Sequence, residues 1–281
     1  MTTYPDILYA VQDRIAVITL NRPDKLNAWT APMQASVKRA IVDASKDDNV
    51  RVIVITGAGR GFCAGADMGN LQKIETGKWD ERELARADND IKLPPSGLGP
   101  DVSGHYAGRF GYLMSVGKPI LAAINGPCAG IGLVFTLYCD LRFASSEAKF
   151  TTAFAQRGLI AEHGISWLLP RLTGTAHALD LLFSARKFTA DEAQRVGLVN
   201  RAFAHEHFMA NVMEYARTLA DTVSPRAMAV MKAQVWKSLF QDLNEAIAVG
   251  DSEMQKSFAT ADFKEGVAHF MEKRAAKFTG R

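Results

Sequence analysis

The sequence contains few cysteines, and they form no framework. Cys63, Cys128 and Cys139 are the only three in 281 residues, and no two of them are spaced as a CxxC pair. With no even-numbered set either, they indicate a reducing interior rather than a disulfide framework. The first residues also lack the basic and then apolar pattern of a signal peptide. We therefore expect a cytoplasmic protein.

Long apolar runs and blocks of one charge are also missing. No stretch approaches the roughly 18 apolar residues of a membrane-spanning helix. The 33 basic and 30 acidic residues give a net charge of only +3, and no cluster of Lys and Arg marks a nucleic-acid surface. No HxxxH or HExxH spacing predicts a metal site. Since 48% of the residues are hydrophobic, a globular protein with a substantial core is expected, with neither membrane nor nucleic acid as a partner.

Local patterns near the N-terminus predict a hairpin, a helix and a buried strand. Ile7–Ala10 and Ile15–Leu20 flank a short polar turn, as the two strands of a hairpin do. Thr30 is placed to cap a helix whose apolar residues recur at helical spacing as far as Ala44. The β-branched run Val50–Thr56 predicts a buried strand.

Strands and helices alternate up to about residue 200. A strand over Pro119–Ile124, a helix over Gly130–Tyr138 and a strand over Asp140–Ala144 are predicted, and Thr189 and Ser224 are placed to begin further helices. The turn-rich region 75–117 predicts a lid or insertion. We expect an α/β protein with a core over residues 1–200 and a helical C-terminal region over residues 201–281.

A first candidate site follows the predicted strand at Val50–Thr56. The segment Gly57–Asp67 is rich in glycine but does not match the dinucleotide-binding pattern GxGxxG, because Phe62 occupies the place of the third glycine. The small residues from Cys63 to Ala66 would let a ligand approach the backbone N–H groups closely. A tight structural turn explains this segment alone equally well.

A second candidate site lies where the strand at Pro119–Ile124 leads into a helix. The first N–H groups of a helix have no internal partner and lie at the positive end of its dipole, which suits a developing negative charge. The N–H groups of Ala64 and Ile131 would together form an oxyanion hole. Taken alone, this corner is better explained by close packing of a helix on a sheet.

Taken together, the motifs resemble those of the enoyl-CoA hydratase/isomerase (crotonase) family. They occur in the same order and extend from about residue 10 to the C-terminus. They are N-R-P-x-x-x-N-A from Asn21, F-C-A-G-A-D from Phe62, K-P-x-x-A-x-x-N-G from Lys118, C-D from Cys139 and F-x-E-K-R from Phe270. The resemblance is specific because several separate motifs recur in sequence.

This resemblance implies a crotonase-like spiral of ββα units with a C-terminal helical trimerisation region, assembled as a homotrimer or a dimer of trimers. It implies an acyl-CoA thioester as the substrate. Because coenzyme A is then part of the substrate, no separate cofactor is expected.

The resemblance also assigns site residues. It implies that the N–H groups of Ala64 and Ile131 hold the thioester oxygen. The residues implied to bind the substrate and its CoA are Lys25, Leu26, Ala28, Ala66, Asp67, Gly130, Phe270 and Lys273. The last two are expected to lie close to the CoA of a neighbouring subunit.

The catalytic carboxylates differ from those of the hydratases in this family. Val134 and Phe154 occupy the positions of the two glutamates that activate water in the hydratases. Glu162 instead matches the position of the single glutamate of Δ3,Δ2-enoyl-CoA isomerases, and burial among apolar neighbours would raise its pKa. The adjacent His163 is expected to be structural or exposed to solvent.

Three functions remain open at this stage. The leading hypothesis is an isomerase that shifts the double bond of an enoyl-CoA by proton transfer through Glu162. The first alternative is a 2-enoyl-CoA hydratase that uses Glu162 alone or a carboxylate from the insertion over Glu75–Asp101. The second alternative is an acyl-CoA-binding protein without catalysis. Acyl-chain length and branching are not predicted.

Overall fold

Two β-sheets and the helices packed on them make up the fold. The structure, a computed structural model, describes residues 3–67, 69, 72, 75–78, 90–106 and 108–281. The strands are β1 (Ile7–Gln12), β2 (Ile15–Leu20), β3 (Val52–Gly57), β4 (Ile120–Ile124), β5 (Cys128–Ala129), β6 (Leu141–Ser145), β7 (Lys149–Thr151), β8 (Phe188–Thr189) and β9 (Arg201–Phe203). The described α-helices are α1 (Ala31–Lys46), α2 (Ile131–Leu137), α3 (Ile165–Thr173), α4 (Thr175–Ser184), α5 (Ala190–Arg195), α6 (Phe208–Thr222), α7 (Pro225–Ser238), α8 (Leu243–Phe258) and α9 (Ala261–Glu272).

The larger sheet is mostly parallel. Its strand order is β1-β2-β3-β4-β6-β9, and only the β1–β2 pair is antiparallel. The smaller sheet has the order β5-β7-β8. Parallel neighbours need crossover connections, which here carry helices over the faces of the sheet. The predicted α/β class is confirmed.

The predicted hairpin is confirmed at β1 and β2. Asp13 and Arg14 form its two-residue turn with φ of 50° and 63°, and Gln12 pairs with Ile15. Positive φ at both turn residues matches the twist of the flanking strands.

The start of α1 also agrees with the sequence pattern. The Thr30 hydroxyl accepts a hydrogen bond from the N–H of Met33 at 3.1 Å, which satisfies one of the unpaired N–H groups of the first turn. Val37, Ala40 and Ile41 are buried on the face that packs against the sheet.

The core continues beyond residue 200. Strand β9 joins the edge of the large sheet beside β6. Helix α6 buries Phe208, Val212 and Ala216 against Val52 and Val54 on the second face of that sheet. Packing on the core thus continues past the predicted boundary at residue 200, and Trp236 in α7 also lies against the main core. The role of residues 201–281 in assembly stays a prediction.

The predicted insertion at 75–117 is described only in part, since residues 79–89 lie outside the described residues. Its later part includes a 3₁₀ turn at Gly111–Ser115 that leads into β4. Among the described residues, none of the helices combines the length and apolar character that crossing a membrane requires.

Candidate active site

Two asparagines hold the loop that follows β3. The Asn27 amide donates to the carbonyl oxygens of Ala58 at 3.0 Å and Gly61 at 2.8 Å. The Asn125 amide donates to the carbonyl of Gly59 at 3.0 Å. These side chains supply partners for carbonyls that lie outside any strand. The chain therefore enters the first candidate site, at residues 63–66, in a fixed conformation.

The two candidate corners lie side by side in parallel register. Cys63 and Cys128 form a parallel bridge, and the N–H of Ala129 donates to the carbonyl of Cys63 at 2.9 Å. A β-carbon added to Gly130 would lie 3.9 Å from the Cα of Gly65. These glycines permit close approach because neither carries a side chain.

Ala66 and Ile131 each lie three residues beyond a cysteine of this bridge. Ile131 is the first residue of α2, so its N–H has no partner within the helix. Within the described part of the chain, the N–H of Ala66 makes no hydrogen bond, whereas its neighbours are paired with Trp29. The carbonyl oxygen of Gly65 accepts a hydrogen bond from the N–H of Trp29 at 2.8 Å, and the backbone N–H of Asp67 donates to the carbonyl oxygen of Trp29 at 3.2 Å. Each of the two paired segments thus carries one open N–H group.

The expectation for Ala64 is wrong. Its N–H donates to the carbonyl oxygen of Leu26 at 2.9 Å, so it is not open to a ligand. Leu26 adopts a left-handed conformation with φ of 46° at the end of a 3₁₀ turn over Pro23–Lys25. The hydrogen bond between the Ala64 N–H and the Leu26 carbonyl anchors the loop over residues 21–28 to the first candidate site, at residues 63–66.

Arg22 locks the other end of this loop. Its Nη1 donates to the carbonyl of Ala28 at 2.7 Å and to the Asp67 carboxylate at 2.9 Å. The hydrogen bond from Arg22 is the largest cause of the lowered pKa of Asp67. The carboxylate of Asp67, a residue expected to bind CoA, therefore forms an ion pair with Arg22 that joins two loops.

Glu162 lies in the loop before α3, in a half-buried position. Its side chain is 33% exposed, and burial raises its pKa while the charge of Arg109 opposes the rise. The Tyr138 hydroxyl donates to the carbonyl of His163 at 2.7 Å, and the N–H of Ile165 donates to the carbonyl of Glu162 at 3.1 Å. The backbone that carries the carboxylate is thus held at two successive carbonyl groups. A desolvated carboxylate of this kind can take up and return a proton.

His163 lies beside Glu162, and part of its side chain is exposed to solvent, as the sequence led us to expect. Its Nε2 lies 3.6 Å from the Glu162 carboxylate and 3.4 Å from Nη1 of Arg109. Burial, followed by the charge of Arg109, lowers the pKa of His163 to about 4. The imidazole is therefore neutral at neutral pH.

The two segments that carry the N–H groups of Ala66 and Ile131 are called the amide corner below. An aromatic cluster connects Glu162 to this corner. The ring of Phe110 packs edge-on against Trp29 at 5.5 Å and against His163 at 6.5 Å, measured between centroids. Trp29 is the residue whose backbone pairs on both sides of Ala66. One packed unit therefore carries both the open amides and the carboxylate.

Comparison with known proteins decides the family. The model of the enoyl-CoA hydratase/isomerase family matches residues 10–90 and 101–281. The chain belongs to the enoyl-CoA hydratase/isomerase family. Its similarity to the 1,2-epoxyphenylacetyl-CoA isomerase of Escherichia coli K12 is 31% identity, covering 98% of each chain. Its similarity to the crotonyl-CoA hydratase of Syntrophomonas wolfei is also 31% identity, covering 99% of each.

Solved structures of this family share the fold. A crystal structure of enoyl-CoA hydratase from Bacillus anthracis superposes with a TM-score of 0.84 at 25% identity, covering 98% of this chain and all of the other. The predicted membership of the family and the predicted fold are confirmed, and so is the expectation of an enzyme of this kind that acts on acyl-CoA thioesters.

The positions of the two hydratase glutamates are filled by apolar residues. Val134 lies in α2 and is fully buried, and Phe154 is also buried, at the start of a 3₁₀ turn. Neither side chain can carry a proton. Of the carboxylates singled out in the sequence, Glu162 is the one that lies beside the aromatic cluster of the site.

The residues expected to bind CoA fall into two groups. Lys25, Leu26 and Ala28 lie on the loop fastened to the amide corner, and Ala66 and Gly130 are in that corner. Phe270 and Lys273 lie at the end of α9 and are exposed.

The chain that follows α9 is tied to the opposite end of β3, because Arg51 donates to the carbonyl of Phe278. A contribution of Phe270 and Lys273 to a neighbouring subunit stays a prediction.

Sequence patterns missed Arg109, Gln34 and the position of His163. Of these, only Gln34 could have been found from the sequence, because a glutamine within the apolar face of α1 indicates a buried polar contact. Arg109 lies in an irregular stretch with no motif. Only the packing of Phe110 brings it to Glu162.

Proposed function

We propose that this enzyme isomerises enoyl-CoA thioesters by moving a double bond through Glu162. The carboxylate takes the proton from C2 of a 3-enoyl thioester, and the electron pair of that C–H bond moves into the thioester carbonyl. The N–H groups of Ala66 and Ile131 hold the resulting enolate oxygen. The same carboxylate then returns the proton at C4, and the double bond lies between C2 and C3. Because no electron is gained or lost, the route needs no separate cofactor.

The observation that carries this proposal is one half-buried carboxylate, joined to the amide corner through the contacts of His163, Phe110 and Trp29. The half-buried Glu162, with its raised pKa, is suited to accept a proton from carbon better than a fully solvated glutamate would be. Val134 and Phe154 occupy the positions of the two glutamates that the hydratases use to activate water. A single acid–base group is sufficient for isomerisation.

The decisive experiment is turnover of a 3-enoyl-CoA, followed by absorbance of the 2-enoyl product, in the wild type and in Glu162→Gln. The amide keeps the shape of the side chain and removes the base, so we expect a loss of about 100-fold or more. Glu214→Gln, on the exposed face of α6, is the matched control and should retain full activity. Unchanged turnover in Glu162→Gln would refute the proposed role.

A second candidate function is hydration of 2-enoyl-CoA, because the Syntrophomonas relative is named a crotonyl-CoA hydratase. The same assay distinguishes the two, since hydration adds the mass of one water molecule to crotonyl-CoA and isomerisation conserves mass. A ring epoxide of phenylacetyl-CoA belongs in the substrate panel because of the name of the Escherichia coli relative. Binding of all these thioesters without conversion would instead favour the non-catalytic alternative.

We also propose a homotrimer or a dimer of trimers. The C-terminal helices expose large apolar side chains that a monomer would leave in water, and such patches mark association surfaces. They include Met231, Val235, Leu243, Ile247, Phe270 and Met271. Light scattering coupled to size exclusion tests this, and a monomer at micromolar concentration would contradict it.

A further inference from the structure

A line of polar contacts leads from the amide corner to Glu162. The indole N–H of Trp29 donates to Oε1 of Gln34 at 3.4 Å, and Nε of Arg109 donates to the same oxygen. On its other side, Nη1 of Arg109 lies 3.4 Å from Nε2 of His163, and that nitrogen lies 3.6 Å from Oε2 of Glu162. Arg109 thus stands between a buried anchor and the carboxylate.

The anchor is rigid. Gln34 is only 4% exposed and lies on α1, and Trp29 packs against both Phe110 and Phe135. Phe110, the residue after Arg109, is fully enclosed in the core. A guanidinium held in this way loses little further entropy when it orients a neighbour.

The chemistry of the three groups is complementary. Arginine stays cationic throughout the working pH range. Among the described residues, the charged and titratable groups about the carboxylate are Arg109, His163 and the Tyr138 hydroxyl on the His163 carbonyl. The charge of Arg109 lowers the pKa of both Glu162 and His163. Burial alone would favour a protonated glutamate, which cannot remove a proton from carbon.

We propose that Arg109, anchored by Gln34, is a positioning residue that keeps Glu162 ionised and His163 neutral before proton transfer. This inference rests on the proposed function, because it assigns Glu162 as the base. It adds a polar network that the proton-transfer route alone does not require.

The direction of the expected effect follows from the contacts. Nη1 of Arg109 and Oε2 of Glu162 both lie close to Nε2 of His163, so the guanidinium is near enough for its charge to lower the pKa of the carboxylate. Removing the cation raises the pKa of Glu162. The acid limb of kcat/KM against pH should therefore move to higher pH.

The test is the pH profile of kcat/KM in Arg109→Gln. We expect its acid limb at a higher pH than that of the wild type, with activity recovering toward the wild-type plateau as the pH rises further. Gln34→Met leaves the guanidinium in place without its anchor and should move the limb in the same direction by less. Arg171→Gln, which removes a guanidinium stacked on Trp167, is the control and should not move it.

Each outcome is informative. A loss of activity that is equal at every pH would assign Arg109 a purely structural role and overturn the inference. If Arg109→Gln does not fold, the pH profile of Gln34→Met tests the inference in its place. An acid limb of Gln34→Met at the same pH as that of the wild type would overturn the inference. Full activity of Glu162→Gln would refute the proposed function instead, whereas an inactive Glu162→Gln with an unshifted Arg109→Gln would refute only the network.

Discussion

Gly132 is the residue at which the close packing of the two corners can be tested most directly. A β-carbon added at this position would lie 2.7 Å from both the Cβ and the carbonyl oxygen of Cys63. Carbon atoms in contact prefer a separation of about 3.5–4.0 Å. Gly132→Ala therefore forces the segment that leads to Ala66 away from α2 by roughly 0.5–1 Å.

Two consequences follow from this displacement. Overpacking of this kind costs about 1–3 kcal/mol of unfolding free energy. A misplacement near 1 Å in a catalytic constellation costs about 100-fold in rate, because an N–H that is out of line stabilises the enolate oxygen less. The loss should be in kcat more than in KM, since the oxygen carries its full charge only in the transition state and intermediate.

The assay combines steady-state turnover of a 3-enoyl-CoA with chemical denaturation, so that folded enzyme is compared with folded enzyme. The control is Gly250→Ala on α8, where an added β-carbon meets nothing within 4 Å. A stably folded Gly132→Ala enzyme with wild-type kcat would refute the reasoning. It would mean that the spacing of Ala66 and Ile131 does not matter for turnover.

Three further outcomes are expected. Asn27→Ala removes hydrogen bonds to the carbonyls of Ala58 and Gly61 and from the N–H of Arg22, so urea denaturation should show a loss of about 2–4 kcal/mol. Asn49→Ala at the exposed turn should change stability by less than about 0.5 kcal/mol, and equal losses in the two would be inconsistent with this account. Gly250→Ala should raise the melting temperature, because alanine favours a helix by about 1 kcal/mol over glycine. A fall would place another subunit against that face of α8. The acid limb of kcat/KM in the wild type should lie above pH 4.5, the ordinary pKa of a glutamate, because burial raises the pKa of Glu162. A limb at or below that pH would show that a different group is the base.

Features set by short stretches of chain were predictable. The hairpin at Asp13, the cap at Thr30 and the strand Val52–Gly57 follow from local patterns of side chains and backbone conformation. The position of Glu162 was recognised because its surrounding segment is contiguous in sequence. The helix that begins at Ile131 was expected for the same reason.

Contacts between distant segments were not predictable in the same way. The choice between Ala64 and Ala66 depends on the register of the bridge between Cys63 and Cys128, and a shift by one residue changes which N–H is open. Both alanines are small and follow the same strand, so composition does not distinguish them. The hydrogen bond from Ala64 to Leu26 distinguishes them in the folded protein.

The sequence by itself determined the family, the α/β class, the two glycine-bordered corners and the identity of the proposed base. These depend on residue types at fixed spacing, which the chain carries whether or not it is folded. Only the tertiary structure decided which amides stand open and which charges surround Glu162. Arg109 reaches His163 because Phe110 packs between Trp29 and His163, and packing of that kind is a property of the closed core rather than of any single segment.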